Sequence, residues 1–336
     1  MAYLLGRTVI IEAVFTLPGL GTSTLKAINL RDYPQIQGNL LFIAFMFLII
    51  NIVVDIAPLG RAVRLLRRKP LGALSLVLIA FTVAVAILAP AVAPHSPHES
   101  FQGHRLEYPS SQFLMGTDQF ARDILSRVIY GAQVSLLVGL ASVVVGILGG
   151  SLLGLVSGYL EGRLDLILQR VMDGFMALPS IILALAFVAA IGPGLLNVMV
   201  AIGLSYIPRV NRVVRGSVLA EKQNVYIEAA RTVGCRQLRI MARHLLPNVT
   251  APIIVVASVT IANAILAEAA LSFLGVGVPP QTASWGAMLS AEARRFMLAQ
   301  PWLAIWPGLA ITVTVLAWNL LGDAIRDVWD PRLRGS

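Results

Sequence analysis

The chain has 336 residues, 57% of them hydrophobic and only 13% charged, with a formal net charge of +9. Soluble domains carry about a quarter charged residues, so this composition argues against a soluble globular fold and for a polytopic membrane protein. The positive charge does not point to nucleic acid, because it gathers in alternate loops between apolar runs.

The first 60 residues hold the decapeptide EAVFTLPGLG (12–21), a turn-rich stretch, and the apolar run LLFIAFMFLIINIVV (40–54). Glu12 interrupts the early apolar region and no small-residue cleavage site follows, so a signal peptide is not expected. Five later stretches carry no Asp, Glu, Lys or Arg: 70–98, 132–160, 174–208, 244–267 and 296–322. Each exceeds the roughly 20 apolar residues that a spanning helix needs. The third is too long for one span and is divided by Gly192-Pro193-Gly194, where a tight turn is expected. Seven spans result, near 38–57, 71–93, 132–158, 173–191, 195–213, 249–271 and 303–322.

The loops on one side of these spans hold eighteen Lys and Arg, and those on the other side eight. The positive-inside rule puts the richer side in the cytoplasm. An extracytoplasmic N-terminus and a cytoplasmic C-terminus follow, consistent with an odd number of crossings. Cys235 is the only cysteine, so no intrachain disulfide is possible.

Several chemistries are excluded. The three lysines, Lys26, Lys69 and Lys222, precede Ala27, Pro70 and Gln223. A P-loop needs Lys followed by Ser or Thr to hold phosphate and magnesium, so the chain has no such site for ATP. The four histidines form no HExxH, and no G-x-S-x-G elbow occurs. His95, His98 and His104 cluster in a Pro-containing loop; a polar extracytoplasmic loop accounts for them without a metal, and no metal site is expected.

The segment VYIEAARTVGCRQLRIMARHLLPN (225–248) is longer than a connection requires. Its spacing predicts a short amphipathic helix through Tyr226, Ile227, Ala230 and Val233, then a break at Gly234. A second, basic helix is expected over 235–245, closed by Pro247, which launches the next span. Small residues at Ala229 and Ala230 would admit a close protein partner; Arg236, Arg239 and Arg243 would equally hold a helix on anionic lipid. Spacing alone leaves both readings open.

Glu228-Ala229-Ala230, three residues, Gly234, and then Leu246-Pro247 resemble the EAA loop of ABC importer permeases. His244, two before the Leu-Pro, departs from the usual aliphatic residue and fits the peptide-importer branch. MGTDQFARDILSRVIYGAQVSL (115–136), RRKPLGALSL (67–76) and EAALSFLGVG (268–277) resemble the C-type permease of dipeptide, oligopeptide and nickel importers. The resemblance covers roughly 65–336. It implies an all-α polytopic fold with a type I importer core of six transmembrane helices, plus one extra helix N-terminal to it. It also implies a bacterial cytoplasmic-membrane protein that is not an enzyme. Glu228, Ala229, Ala230, Gly234, Leu246 and Pro247 would form the coupling loop seated on an ABC ATPase subunit. ATP and magnesium would belong to that subunit, with no cofactor in this chain. A B-type permease and an extracytoplasmic solute-binding protein would complete the system, which would work by alternating access.

Gly146, Gly150, Gly154 and Gly158 form one stripe on the third span, as close helix packing in lipid requires. Asp173, Glu268 and Asp323 lie near predicted span ends and are the candidates for a pathway or gate; Glu268 would equally pin the outer end of its helix.

EAVFTLPGLG returns late in the chain as EAALSFLGVG, and each copy is followed by a loop, a span and Asn-x-x-x-Asp, at Asn51–Asp55 and Asn319–Asp323. The interval from Glu to Asn is 39 residues in the first and 51 in the second. VFTLPGLG and INLRDYPQIQG resemble the C-terminal end of a B-type permease. Residues 1–60 are therefore expected to be such a remnant, and 61–336 the C-type domain. The alternatives are a nickel or other metal-chelate permease of the same branch, an ATPase-independent channel, and an inactive subunit.

Overall fold

The computed structural model describes residues 70–279, 281–290, 295–297 and 299–329, with side chains up to Arg326. The early decapeptide, the first span and the expected remnant at 1–60 lie outside the described residues. All described residues fall within one compact unit, Lys69–Ser336, and the helices of eight residues or more among them are α1 (Pro70–Ile87), α2 (Ile124–Leu160), α3 (Gly162–Met176), α4 (Ser180–Ile191), α5 (Leu195–Glu221), α6 (Val225–Thr232), α7 (Gln237–Phe273) and α8 (Trp302–Trp329). The six core spans expected after residue 70 each fall on one of these helices or, for 173–191, on a pair. By length and composition α2, α7 and α8 each suffice to cross a membrane, and α3 with α4 passes only as a broken pair.

α2 overruns its apolar core by two turns because Asp123 caps it, accepting from the Ser126 amide at 2.9 Å and the Ser126 hydroxyl at 2.6 Å. Apolarity marks the part of a helix that lies in lipid, not the whole helix. The expected continuous span 173–191 is corrected: α3 and α4 meet at a 95° bend. Pro179 lacks an amide hydrogen and disfavours helical geometry at Leu178. The 12 residues of α4 rise only about 18 Å, short of the roughly 30 Å hydrocarbon core. Pro247 does not close a helix either. The chain runs through a π turn, Met241–Leu245, straight into the span. There the Leu246 amide bonds five residues back to the Met241 carbonyl, and the widened turn makes room for the proline ring.

The most extensive helix pairing is α2 on α5. α2 supplies the glycines. A Cβ on Gly150 would lie 2.5 Å from the Val210 Cβ and 2.9 Å from the Ile207 carbonyl; on Gly154, 2.8 Å from the Asn211 carbonyl. Gly146 and Gly158 would meet carbonyls of Gly203 and Arg215, each at 3.1 Å. α5 answers with Gly203, whose Cβ would meet the Ser142 carbonyl at 2.8 Å. The two backbones touch, as small residues allow where burial in lipid gives no hydrophobic drive between helices.

A central apolar cluster joins α2, α4, α5 and α7 through Leu136, Val188, Ile202 and Ile265. At one end, hereafter the loop end, the segment 94–123 folds against α2. His95 and His104 both pack on Phe113 (ring centroids 5.7 and 5.5 Å), and Arg122 donates to Asp118 at 2.8 Å. Among the described residues no group of three His, Cys, Asp or Glu is placed to hold a metal.

Candidate functional site

The opposite end carries the segment 222–245. An eight-residue helix such as α6 is not stable alone in water, so its position depends on what it touches. Ile227 is fully buried in a cluster with Leu155 and Tyr159 of α2, Val214 and Val218 of α5, and Ile240, Leu245 and Val249 of α7. Burial of such a side chain stabilises by about 1.5–3 kcal/mol. Tyr226 donates to Glu221, and Asn248 donates to the Tyr226 hydroxyl at 2.9 Å, tying α6 to α5 and α7. Burial and the hydrogen bond to Glu221 push the Tyr226 hydroxyl above its ordinary pKa. The Arg231 guanidinium lies 5.4 Å from the Tyr159 ring centre.

The helix ends in a Schellman turn. The Cys235 amide bonds to the Ala230 carbonyl at 3.0 Å and the Gly234 amide to the Arg231 carbonyl at 2.9 Å. Gly234 takes φ +80°, and nothing lies within 4 Å of where its Cβ would be. Glycine is therefore needed here for angle and not for space. Three apolar side chains stand out from this elbow among charged and polar ones. Val225, Val233 and Leu238 are 79%, 83% and 76% exposed. Glu228 and Ala229 are exposed, and Ala230 is half-buried. Glu228, in the first turn of α6, also complements the positive end of the helix dipole.

Of the expected coupling residues, the structure places Glu228, Ala229, Ala230 and Gly234 on this one elbow. Leu246 and Pro247 are also exposed but lie on α7, just beyond the π turn. The expected second helix over 235–245 is instead the start of α7, so the elbow continues into a spanning helix without a break.

The three acidic candidates fall apart from one another. Asp173 is not at the start of a span. It lies near the end of the amphipathic α3 and pairs with Arg212 of α5 at 2.5 Å, both half-exposed. Asp323 is inside α8, which continues past it, and is exposed. Glu268 is fully buried near the end of α7, where its Oε1 accepts from Ser272 and Ser284, each at 3.0 Å. Ser284 also caps the short helical turn Trp285–Met288, so the carboxylate ties α7 to the loop end. A Cβ on Gly286 would come 2.8 Å from that oxygen.

Sequence reading missed the clamp between α3 and α5. Arg215 donates twice to Asp165, at 2.7 and 2.6 Å, and the Gln169 amide donates to Asn211 at 3.2 Å. Lys222 holds the α2–α3 corner, donating to the Tyr159 carbonyl at 2.7 Å and to Glu161 at 2.9 Å. The signal available was Asp165, Gln169, Met172 and Asp173 at helical spacing opposite Leu164, Ile167 and Val171, an amphipathic pattern just ahead of an apolar run.

This helical membrane protein, with an elbow anchored on the ends of α2, α5 and α7, matches a family profile of binding-protein-dependent transport system inner membrane components over residues 1–58 and 150–335. The chain belongs to that family. A second profile, the N-terminal transmembrane domain of oligopeptide transport permease C, matches 57–109. The chain is 45% identical over 271 residues to a di/tripeptide transport system permease of Pseudomonas aeruginosa, covering 79% of this chain and 88% of the relative. It is 39% identical over 279 residues to a dipeptide transport system permease of Alkalihalophilus pseudofirmus, covering 83% and 91%. A glutathione transport system permease of Pectobacterium atrosepticum is 46% identical over 253 residues, covering 75% and 84%.

Proposed function

We propose that this chain forms one half of the translocation path of an ABC importer for di- and oligopeptides, and that its elbow Glu228–Gly234 seats on a separate ATPase subunit. The observation that carries this reading is the elbow: outward it presents unsatisfied apolar side chains, while inward Ile227 plugs into the ends of α2, α5 and α7. Apolar side chains so exposed at the tip of a charged segment fit a protein interface. A partner that closes on α6 moves those three helix ends with it. A B-type permease would supply the other half of the path, and a solute-binding protein would deliver the peptide. ATP and magnesium act in the partner subunit, and this chain makes and breaks no covalent bond. The excess of arginine in the loops at the elbow end supports a cytoplasmic elbow and C-terminus. Two separated family matches, 1–58 and 150–335, with the permease C profile beginning at 57, support 1–60 as the remnant of a B-type permease joined to a C-type domain.

The test is reconstitution. The chain, its B-type partner, ATPase subunits and binding protein are placed in proteoliposomes, and ATP-driven uptake of dialanine is followed. Uptake that requires both ATP and this chain is expected. Uptake without ATP, or equal uptake when the chain is omitted, would overturn the reading.

A further inference from the structure

α5 carries three arginines on successive turns, and they do not live alike. Arg215 is paired with Asp165 and Arg212 with Asp173, both carboxylates of α3. Arg209, one turn nearer the start of α5, is exposed and has no ion pair or hydrogen bond among the described residues. No Asp or Glu occurs between 174 and 208 to serve it. An arginine left without a counter-charge beside an apolar run calls for a reason.

Its surroundings supply one. Arg209 lines a cleft of about 130 Å³ at the α3–α4 break, together with Phe175, Met176, Ser180, Ser205 and Tyr206. Tyr206 is only 5% exposed, its ring held in the central apolar cluster. Its hydroxyl finds no hydrogen-bond partner among the described residues. The cleft therefore combines an unpaired cation, an unused hydroxyl donor and an apolar wall formed by Phe175 and Met176, with no carboxylate in its lining. Broken helices at membrane depth are where transporters bring polar groups to a passing solute.

We infer that Arg209 and Tyr206 form a way-station for the terminal carboxylate of a peptide crossing the membrane, with the cleft wall taking an adjacent apolar side chain. The guanidinium offers two parallel donors to a carboxylate, and the tyrosine hydroxyl offers a third. The inference rests on the peptide-importer reading and adds to it the chemical group the path recognises.

The experiment uses the whole importer in proteoliposomes with dialanine and its C-terminal amide as the two probes. The binding protein is the same throughout, so its own preference cancels when variants are compared with wild type. For Arg209→Gln the acid-to-amide uptake ratio falls about tenfold, the scale of one charge-assisted hydrogen bond. Arg209→Lys keeps at least half of the wild-type ratio. Tyr206→Phe, which preserves the ring and its packing, lowers the ratio about threefold, and decides the matter should Arg209→Gln not reach the membrane. An unchanged ratio in Arg209→Gln and Tyr206→Phe overturns the inference, as does an equal loss of acid and amide uptake, the signature of an arginine that anchors on lipid phosphate or merely supports the fold. Wild-type proteoliposomes that take up neither probe with ATP overturn the importer reading itself, an outcome distinct from an altered or unaltered ratio.

Discussion

Two regions of this molecule use glycine for opposite reasons. Along the α2–α5 seam the glycines have ordinary helical angles, and the space where a side chain would stand is already taken. At the elbow, Gly234 has open space around it and an angle that other residues adopt only under strain. The first region is a packed joint and the second a hinge-like turn that faces outward. The proposed coupling would use both: a seam that transmits motion without absorbing it, and a surface element that a partner can grip. Interiors packed backbone to backbone have few ways to deform gradually. On the proposed coupling, a push on Ile227 would be passed to whole helices.

The largest effect is expected at the seam. Gly150→Val places its Cβ against Val210 and the Ile207 carbonyl, and overpacking of this kind costs about 3 kcal/mol. Thermal unfolding of the purified chain in detergent should show a clearly lowered midpoint, and an unchanged midpoint would break the seam half of the comparison. Next comes Gly234→Pro. Proline is confined to φ near −65° and cannot take +80°. The protein should still reach the membrane while solute-dependent ATPase activity is lost; normal stimulation by the loaded binding protein would remove the elbow from the coupling path. Gly234→Ala sharpens the contrast. With nothing for its methyl group to strike, it should cost only about 1 kcal/mol from the backbone angle, and Gly234→Asn less, since Asn tolerates the left-handed region.

The smallest effect concerns pH. The Tyr226 hydroxyl has a raised pKa, so its contribution to holding α6 is complete below the ordinary tyrosine value near pH 10 and is lost as pH rises through the folded value. Limited proteolysis between α5 and α7 should quicken only above about pH 10, and Tyr226→Phe should abolish that pH dependence.

The seam was legible in the sequence because four glycines at four-residue intervals can only form a stripe on a helix. Its partner was not, since nothing in the sequence pairs Gly203 of α5 with Ser142 and Val145 of α2. The spans were visible as charge-free runs, but their ends were not, because helices continue into polar surroundings through caps such as Asp123. Pro179 escaped notice behind the more conspicuous Gly192-Pro193-Gly194, although it makes the sharper break within 173–191. At the elbow, Gly234 announced its turn, whereas the π turn before Pro247 has no pattern of its own. The clamp Asp165–Arg215 joins residues 50 apart and became readable only when α3 folded back on α5.

The most direct test of the central claim is protection of the elbow by its partner. In a Cys235→Ser background, which removes the only native cysteine, Ala229→Cys is labelled with a membrane-impermeant maleimide in inside-out vesicles, with and without co-expressed ATPase subunits. The coupling account predicts rapid labelling of the chain alone and strong protection when the ATPase is present. Labelling of Ala229→Cys at the same rate in both preparations, although the ATPase co-purifies, would contradict it.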